Sequence, residues 1–328
     1  MDTQPRQAPA RERGREVGDW FVAAVADGSL DLPRPGGGGT LHRLEALAAL
    51  GRVDPVRARL GEGHADAHAV LDELGAAVDR TGRWGVWAAD PTGLRAVPVD
   101  GRWRLTGRRP FCSGAGICTR ALVCAAAPDG IRLFAVQVDG EPRVRALPGT
   151  WPALGMADSD SRTVEFMAAR AEPVGGPGAY TARPGFAHGA VGVGACWFGG
   201  AVGVADLLRD LATDGDPHTL AHLGGVDAAL AAAAAVLTQA AGWIDAHPRE
   251  QAARLAGLTR AVVERSAGEV LDRVGRATGA RPLCHDRDHA RRVADLTVYL
   301  RQSHAERDLA ALGAMPAPPG APLLGGGW

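Results

Sequence analysis

The chain has 328 residues, of which 46% are hydrophobic, and its formal net charge is -1 at pH 7. This length allows two or three domains with a substantial core, and the balanced charge excludes the concentrated basic surface of a nucleic-acid binder. All 36 basic residues are arginines, which excludes Schiff-base, pyridoxal-phosphate and P-loop chemistry, because each of these needs a lysine amine.

The amino-terminal third predicts a small helical domain over residues 1–82. Residues 1–16 are polar and charged and are expected to be disordered, and a short helix follows around residues 20–26. A Pro/Gly-rich loop occupies residues 32–39. Helical spacing of apolar residues then recurs in three segments, namely residues 41–50, 55–60 and 64–74.

The segment 83–173 has the pattern of an antiparallel β barrel or sandwich. Short β-branched or aromatic runs alternate with three hairpin-type dipeptides, at Asp100-Gly101, Asp129-Gly130 and Asp139-Gly140. One strand is predicted to end at Gly107, ahead of a tight turn at residues 112–116. Residues 121–126 and 131–138 are spaced for antiparallel pairing, and residues 162–168 predict a last strand.

The segment 174–313 predicts a helical bundle after a Pro/Gly linker at residues 175–185. Four long amphipathic helices are predicted, at about residues 189–211, 226–244, 249–278 and 286–312. The glycines and alanines of residues 199–203 lie inside the first of them, where small residues allow close helix packing. The Pro/Gly-rich tail, residues 314–328, is expected to be flexible.

The cysteine pattern and the chain termini limit the cellular context. The five cysteines include no Cys-x-x-Cys pair, which argues against a disulfide framework and against a zinc site, and no metal is predicted. The amino terminus has no apolar core of a secretory signal, and no run approaches the roughly 18 apolar residues of a membrane span. A cytoplasmic location is therefore expected.

Three segments resemble the acyl-CoA dehydrogenase superfamily: GRWRLTGRRPFCSGAG from Gly101, WPALGMADSDSRTVEF from Trp151, and LRQSHAERDLAALG from Leu300. The resemblance implies an α+β multi-domain fold, with an N-terminal α domain, a central antiparallel β barrel and a C-terminal four-helix bundle. The periodicity and turn signals predict the same order by a partly separate route. The family also implies FAD as cofactor, with FMN possible, and a homodimer or homotetramer.

The resemblance implies which residues bind the flavin. Ala89-Asp90-Pro91 stands where the family has Thr-Glu-Pro, which makes Asp90 a candidate cofactor contact. Phe111, Cys112 and Ser113 match the second flavin-contacting segment, where backbone amides serve the ring whatever the side chains are. The same residues are also typical of an ordinary Gly/Ser turn, which is the alternative interpretation. Arg301 is a candidate for a pyrophosphate or a partner subunit, and a solvated arginine is the equal alternative.

His304 is the candidate catalytic residue. It continues a stripe on the last predicted helix through Leu296 and Leu300, so its imidazole is expected to point into the bundle. One interpretation of this placement is a structural histidine in the protein interior that makes a single hydrogen bond. The flavin monooxygenase branch of the superfamily carries a histidine in the corresponding helix, facing the flavin, where it acts as an acid or base.

The reaction expected from the resemblance is a FAD-dependent oxidation of an acyl thioester, such as acyl-CoA, or a similar small molecule. The Tyr-Glu-Gly-Thr type segment that carries the family's catalytic glutamate is absent, and neither Glu264 nor Glu269 is placed by the sequence. A flavin-dependent monooxygenase is therefore the second interpretation. A catalytically silent binding or assembly protein is the third. No nucleic-acid or membrane partner is predicted.

Overall fold

The computed structural model of the protein describes residues 8–89, 91–212 and 215–316. The fold class is α+β, with a strand barrel in the middle of the sequence and helices before and after it. The predicted tail starts within the last turn of the final helix, and its residues 317–328 lie outside the described part of the chain.

By their internal contacts the residues form two compact units. Unit 1 comprises Met1–Asp31 and Gly63–Arg183, and unit 2 comprises Leu32–Glu62 and Pro184–Trp328. The boundaries predicted from the sequence near residues 82 and 173 follow a different division, and the three-domain layout stays a prediction.

In unit 1 the first helix is longer than the sequence predicted. Helix α1 covers Ala8–Ala26, so residues 8–16 are helical and the prediction of disorder for them is wrong. Val17 and Phe21 are buried and give the helix an apolar face. Arg13 pairs with Asp158 at 3.0 Å between Nε and Oδ2, which ties the first turns down as well. A polar composition at the amino terminus did not reveal this anchoring.

Seven strands form one sheet, and five of them close into a barrel. The strands are β1 (Trp84–Trp87), β2 (Leu94–Val99), β3 (Arg102–Cys112), β4 (Arg120–Ala127), β5 (Gly130–Gln137), β6 (Val144–Leu147) and β7 (Arg162–Val174). Strand β4 pairs with β2 and with β5, and the path from β2 to β5 runs through β3 and β7. Strand β1 pairs with β4, and β6 pairs with β7.

The pairing confirms two of the three predicted hairpins. Asp100-Gly101 joins β2 to β3, and Asp129-Gly130 joins β4 to β5. Asp139-Gly140 does not make a hairpin, because β6 pairs with β7 and not with β5. The β1–β4 and β2–β4 pairings are parallel, so the barrel is mixed and not purely antiparallel as predicted.

Strand β3 does not end at Gly107 but continues to Cys112. Gly107 has a φ of 130°, and a β-carbon there would lie 2.3 Å from the carbonyl oxygen of Gly93. The glycine therefore permits a close approach of two backbones inside the barrel rather than marking a strand end. Because β3 continues, it delivers residues 111–113 directly to the turn that follows.

Two neighbouring histidines, one buried and one half-buried, lie beside the barrel in unit 1. His64, on helix α3 (Pro55–Glu73), is 2% exposed, and its Nδ1 accepts the backbone N–H of Trp84 at 3.2 Å. The rings of His64 and His68 lie 4.6 Å apart. Burial, with a smaller contribution from His68, lowers the pKa of His64 to about 4. Burial also lowers the pKa of His68.

This pair predicts an acid-labile fold. In the unfolded chain His64 titrates near 6.5, so below that pH the unfolded state binds a proton at His64. The folded state does not bind this proton until the pH falls to about 4. The free energy of unfolding should fall over this window by about 3 kcal/mol from His64. His64→Asn keeps an acceptor for Trp84 without titrating, so urea unfolding between pH 7 and pH 4.5 should show a shallower pH slope. An unchanged slope would contradict the assignment.

Unit 2 is entirely helical in its described part. Helix α2 packs on α5, α5 packs on α6, α7 and α9, and α6 packs on α7. The last long helix predicted from the sequence is interrupted, because α9 ends at Tyr299 and a 3-10 turn follows at Leu300–Gln302. The helices are α2 (Thr40–Val53), α4 (Ala179–Ala182, in unit 1), α5 (Pro184–Leu211), α6 (Pro217–Ala246), α7 (Ala253–Thr278), α8 (Ala280–His285), α9 (Arg287–Tyr299) and α10 (Glu306–Ala314).

Two of these helices are long and apolar enough to cross a membrane by length and composition alone, which the sequence analysis did not expect. Their most apolar windows have mean hydropathies of 1.6 for α5 and 1.7 for α6. In α5, 72% of that window is buried against other parts of the protein, and in α6 33% is buried. Core helices of soluble proteins meet the same criterion, so this is weak evidence for a membrane span.

Candidate functional site

In unit 1, the end of strand β3 presents an aromatic side chain in a strained backbone conformation. Phe111 has a φ of 59°, which a bulky residue rarely adopts, and it is 63% exposed. Its ring lies 6.3 Å from that of Trp151 in an edge-to-face arrangement. Leu154, close by in sequence to Trp151, is 89% exposed. Strain at an exposed apolar residue is typical of a ligand-binding surface.

The turn is fixed by hydrogen bonds to a second loop of unit 1. The N–H of Gly114 donates to the carbonyl of Ser159 at 2.8 Å, and the N–H of Ala115 donates to the carbonyl of Asp160 at 3.1 Å. The N–H of Gly116 donates to Oδ2 of Asp160 at 2.7 Å. Asp160 itself has a φ of 47°. Three successive donors thus hold the turn in one conformation.

A chain of hydroxyl groups links the same two segments. Oγ of Ser113 lies 2.9 Å from Oγ of Ser161, which lies 2.8 Å from Oγ of Ser159. Ser159 donates to the carbonyl of Met156 at 2.7 Å. Each hydroxyl has one proton, so Ser161 donates to Ser159 and Ser113 donates to Ser161. The lone pairs of the Ser113 oxygen are then the accepting end of the chain.

Two buried side chains hold the residues around this turn. Nε1 of Trp87, at the end of β1, donates to the carbonyl of Ser113 at 2.9 Å. Arg109 is fully buried, and its guanidinium donates to the carbonyls of Ala89 and Cys124. Arg109 therefore connects β3 to the segment that precedes Asp90. The sequence analysis did not single out either residue, although Arg109 lies within the motif it quoted.

The predicted cofactor residues of unit 1 are placed as follows. Phe111 lies in the last residues of β3 and is exposed, and Ser113 begins the turn that follows and is partly buried. The side chain of Cys112 is fully buried, and its Sγ donates to the carbonyl of Arg109 at 3.2 Å, which leaves only its backbone for a ligand. Asp90 lies outside the described residues.

An open cavity of about 350 Å³ borders the turn in unit 1. Asp139 and Glu141 contribute to its lining, and no arginine of the described chain does. An acidic cavity repels phosphate, so this cavity is unsuited to the phosphate of a nucleotide cofactor. The cavity is lined by Ala115, Gly116, Cys118, Val138, Asp139, Gly140, Glu141, Pro142, Val144 and Ala146.

In unit 2, the turn after helix α9 is fixed by one glutamate of helix α7. Nη2 of Arg301 contacts Oε1 of Glu264 at 3.0 Å, and Oγ of Ser303 donates to Oε2 at 2.9 Å. Both oxygens of Glu264 are therefore engaged. Arg301 is largely exposed, and Glu269 pairs with Arg273 on its own helix.

His304 follows this turn and does not point into the bundle as predicted. The helical stripe stops at Leu300, because the chain leaves the helix after Tyr299. The His304 side chain is 56% exposed. Its Nδ1 lies 3.2 Å from Oδ1 of Asp308, and its backbone N–H donates to Oδ2 at 2.9 Å. The Asp308 carboxylate accepts a hydrogen bond from Nδ1–H, which leaves Nε2 of the imidazole to exchange a proton with a ligand.

The described residues contain no group of three or more His, Cys, Asp or Glu side chains arranged to hold a metal ion. The segment 284–289 contains cysteine, histidine and aspartate side chains, but its Asp286 acts as a helix cap. Asp286 caps helix α9 by accepting the backbone N–H groups of Asp288 and His289 at 3.0 Å each.

Comparison with solved structures identifies the fold. Dibenzothiophene monooxygenase TdsC from Paenibacillus sp. A11-2 matches with a TM-score of 0.75 at 21% identity, over 93% of this chain and 96% of that one. Methanesulfinate monooxygenase MsuC from Pseudomonas fluorescens matches with a TM-score of 0.76 at 18% identity, over 95% and 99%. The HsaA monooxygenase from M. tuberculosis matches with a TM-score of 0.69 at 17% identity, over 93% of each chain.

These matches show that the chain shares the fold of these monooxygenases, the acyl-CoA dehydrogenase-like fold. No protein-family model matches the sequence, and no curated protein sequence matches it. The structural matches thus confirm, at the level of the fold, the family resemblance that the three motif segments indicated.

Proposed function

We propose that the protein is a flavin-dependent monooxygenase. The observation that carries the proposal is the match along 93–95% of the chain to monooxygenases of this fold. TdsC has been solved with FMN bound and with FMN and indole together, and this favours FMN over the FAD expected from the sequence. A reduced flavin supplies the electrons that activate dioxygen for insertion of one oxygen atom into a substrate.

The residues of the β3 turn fit a flavin. The exposed ring of Phe111, held at a strained φ of 59°, offers an apolar surface to a fused aromatic ring system. The Ser113 oxygen, at the accepting end of the hydroxyl chain, suits a ring N–H donor. Phe111, Ser113 and the backbone of Cys112 would hold the ring. Contacts of Asp90 and Arg301 with the cofactor stay predictions.

His304 would serve as the acid or base. Its Nδ1 is held by Asp308, so Nε2 is positioned to accept a proton from a substrate hydroxyl or amine, or to return it. Its exposure gives a ligand access to the ring.

The arrangement of carboxylates favours oxygenation over dehydrogenation of an acyl thioester. A dehydrogenase of this fold needs a free carboxylate to remove the α proton. In the described chain, both oxygens of Glu264 bind Arg301 and Ser303. The turn from Leu300 to Ala305 carries no acidic residue. A small-molecule substrate, a homodimer or homotetramer and a cytoplasmic location stay parts of the proposal.

The proposal is tested with purified protein and FMN reduced in advance. We expect reduced FMN to bind with micromolar or tighter affinity, and a substrate such as indole to be oxygenated with consumption of one dioxygen per product. Anaerobic bleaching of bound oxidised flavin by acyl-CoA, without oxygenation, would instead establish the dehydrogenase. If the protein binds neither FMN nor FAD, the remaining interpretation is a catalytically silent binding or assembly protein.

A further inference from the structure

The turn after strand β3 in unit 1 has no backbone N–H left to offer a ligand from Ser113 to Cys118. Each of these six N–H groups donates inside the protein, over distances of 2.7–3.1 Å. Their acceptors are the carbonyls of Phe111, Ser159, Asp160 and Gly114 and the carboxylate of Asp160. The resemblance implied that backbone amides of this segment serve the flavin ring, but from Ser113 onward these amides are already used.

Two indole N–H groups beside the turn are engaged as well. Nε1 of Trp87 donates to the carbonyl of Ser113 at 2.9 Å. Nε1 of Trp151, whose ring packs edge-on against Phe111, donates to the carbonyl of Gly155 at 3.1 Å. An indole has one N–H and no acceptor, so neither tryptophan has a further hydrogen bond to give to a ligand at the turn.

The hydroxyl of Ser113 is left with acceptor capacity alone. The carbonyl of Met156 can only accept, so the Ser159 hydroxyl donates to it, at 2.7 Å between the oxygens. Ser161 must then donate to Ser159 at 2.8 Å, and Ser113 to Ser161 at 2.9 Å. Ser159 and Ser161 are 0% and 4% exposed, which keeps solvent from reversing this direction. Ser113 is partly exposed, so a ligand can reach its oxygen.

An acceptor of this kind can distinguish the two redox states of a flavin. Reduction of a flavin adds a proton to the ring nitrogen N5, which changes from a hydrogen-bond acceptor into an N–H donor. The Ser113 oxygen can accept a hydrogen bond from that N–H. In the oxidised ring the same nitrogen presents a lone pair, and two acceptors that face each other make no hydrogen bond.

We propose that the hydroxyl chain of Ser159, Ser161 and Ser113 makes this site selective for reduced over oxidised flavin. Ser113 contacts the ring, whereas Ser161 and Ser159 are positioning residues that fix the direction of its proton. The inference rests on the proposed monooxygenase function, because it takes a flavin to be the ligand at the turn. The site thereby takes up flavin in the state that reacts with dioxygen and releases it once it is oxidised.

Two binding measurements on the full-length protein test the proposal. Isothermal titration calorimetry gives the dissociation constants of oxidised FMN and, under anaerobic conditions, of reduced FMN. We expect reduced FMN to bind at least about 10-fold more tightly, since only this state pairs the Ser113 oxygen with a donor. The second measurement is the midpoint potential of the bound flavin. For a two-electron couple, a tenfold preference for the reduced state raises this potential by about 30 mV relative to free FMN.

Three variants assign the selectivity to the hydroxyl chain. Ser161→Ala frees the Ser113 hydroxyl to turn and donate, so oxidised FMN should bind about 2- to 10-fold more tightly while the affinity for reduced FMN changes little. Ser113→Ala removes the acceptor, so reduced FMN should bind about 2- to 10-fold more weakly while the affinity for oxidised FMN changes little. Both variants lower the midpoint potential, by opposite routes. Ser29→Ala removes an exposed serine hydroxyl that bonds to the carbonyl of Ala24 and should change neither affinity.

Equal affinity of the wild type for the two redox states overturns the inference and leaves the proposed function standing. The same holds if the variants weaken both states equally, because that is the effect of a purely structural role. Circular dichroism checks the fold, and Ser113→Ala decides the matter if Ser161→Ala does not fold. A protein that binds neither FMN nor FAD in either redox state overturns the inference and the proposed function together.

Discussion

Replacing Gly199 by Ala is expected to lower the free energy of unfolding by more than about 3 kcal/mol, or to prevent folding, because overpacking here meets rigid backbone. A β-carbon at Gly199 would lie 2.0 Å from the carbonyl oxygen of Ala48 and 2.7 Å from its carbonyl carbon. Neither atom belongs to a flexible side chain, so helices α2 and α5 would have to separate. Urea unfolding followed by circular dichroism measures the effect.

The matched control is Gly242→Ala, near the carboxyl end of helix α6. A β-carbon there meets no atom within 4 Å, so the substitution only reduces backbone freedom. We expect it to stabilise the protein by about 0.5–1 kcal/mol. If Gly199→Ala unfolds at the same urea concentration as the wild type, the close crossing of α2 and α5 is wrong.

This crossing illustrates what a sequence predicts about helix packing. The small residues 199–203 lie in a long apolar helix, and their role in close packing follows from the pattern alone. The partner helix does not follow from it. Gly51 and Gly203 make equally close approaches, to Cys196 and Arg52, and these join segments about 150 residues apart. Periodicity records that a face is buried but not what covers it.

In the barrel, too, the sequence predicts local pairings but not distant ones. Turn dipeptides predict the hairpins at Asp100-Gly101 and Asp129-Gly130, because a hairpin is a local structure. The parallel pairing of β1 with β4 joins strands separated by two others in sequence. Residues in the turn cannot specify such a pairing, so the sequence predicted a purely antiparallel barrel.

The candidate site also combines features that the sequence predicts with features that it does not. The motif around Phe111 and Ser113 was identified by resemblance, and the structure places Phe111, with its φ of 59°, at the end of β3 and Ser113 in the turn that follows. The hydroxyl chain through Ser161 and the bonds of Arg109 to distant carbonyls arise from tertiary contacts and had no sequence signal. Their contribution is to fix a turn that its own sequence leaves free to move.

The end of helix α9 explains the wrong placement of His304. Nothing in the pattern from Leu296 to His304 interrupts a helix, but Ser303 binds Glu264 instead of continuing it. Ala305 then adopts a φ of 47°, outside the helical region. A serine side chain that finds a distant acceptor competes with the helical hydrogen bonds. The histidine consequently lies in a turn with access to ligands.

Replacing His304 by Ala is expected to lower the rate of product formation by about 100- to 10,000-fold, the usual contribution of a positioned acid or base. Flavin binding should change by less than about twofold, because His304 is a proton donor and acceptor in the proposal and not a cofactor contact. Oxygen consumption should then continue without product. The measurement is the ratio of product formed to oxygen consumed, with any compound that the wild-type protein oxygenates.

Two further variants separate catalysis from structure. Asp308→Asn removes the carboxylate that orients the imidazole, and it should lower the rate of product formation by less than His304→Ala does. His285→Ala removes an exposed histidine at the end of helix α8 and should leave turnover unchanged. Equal turnover in His304→Ala and wild type would remove this residue from the mechanism, and with it the reason for expecting acid–base chemistry at the turn between α9 and α10.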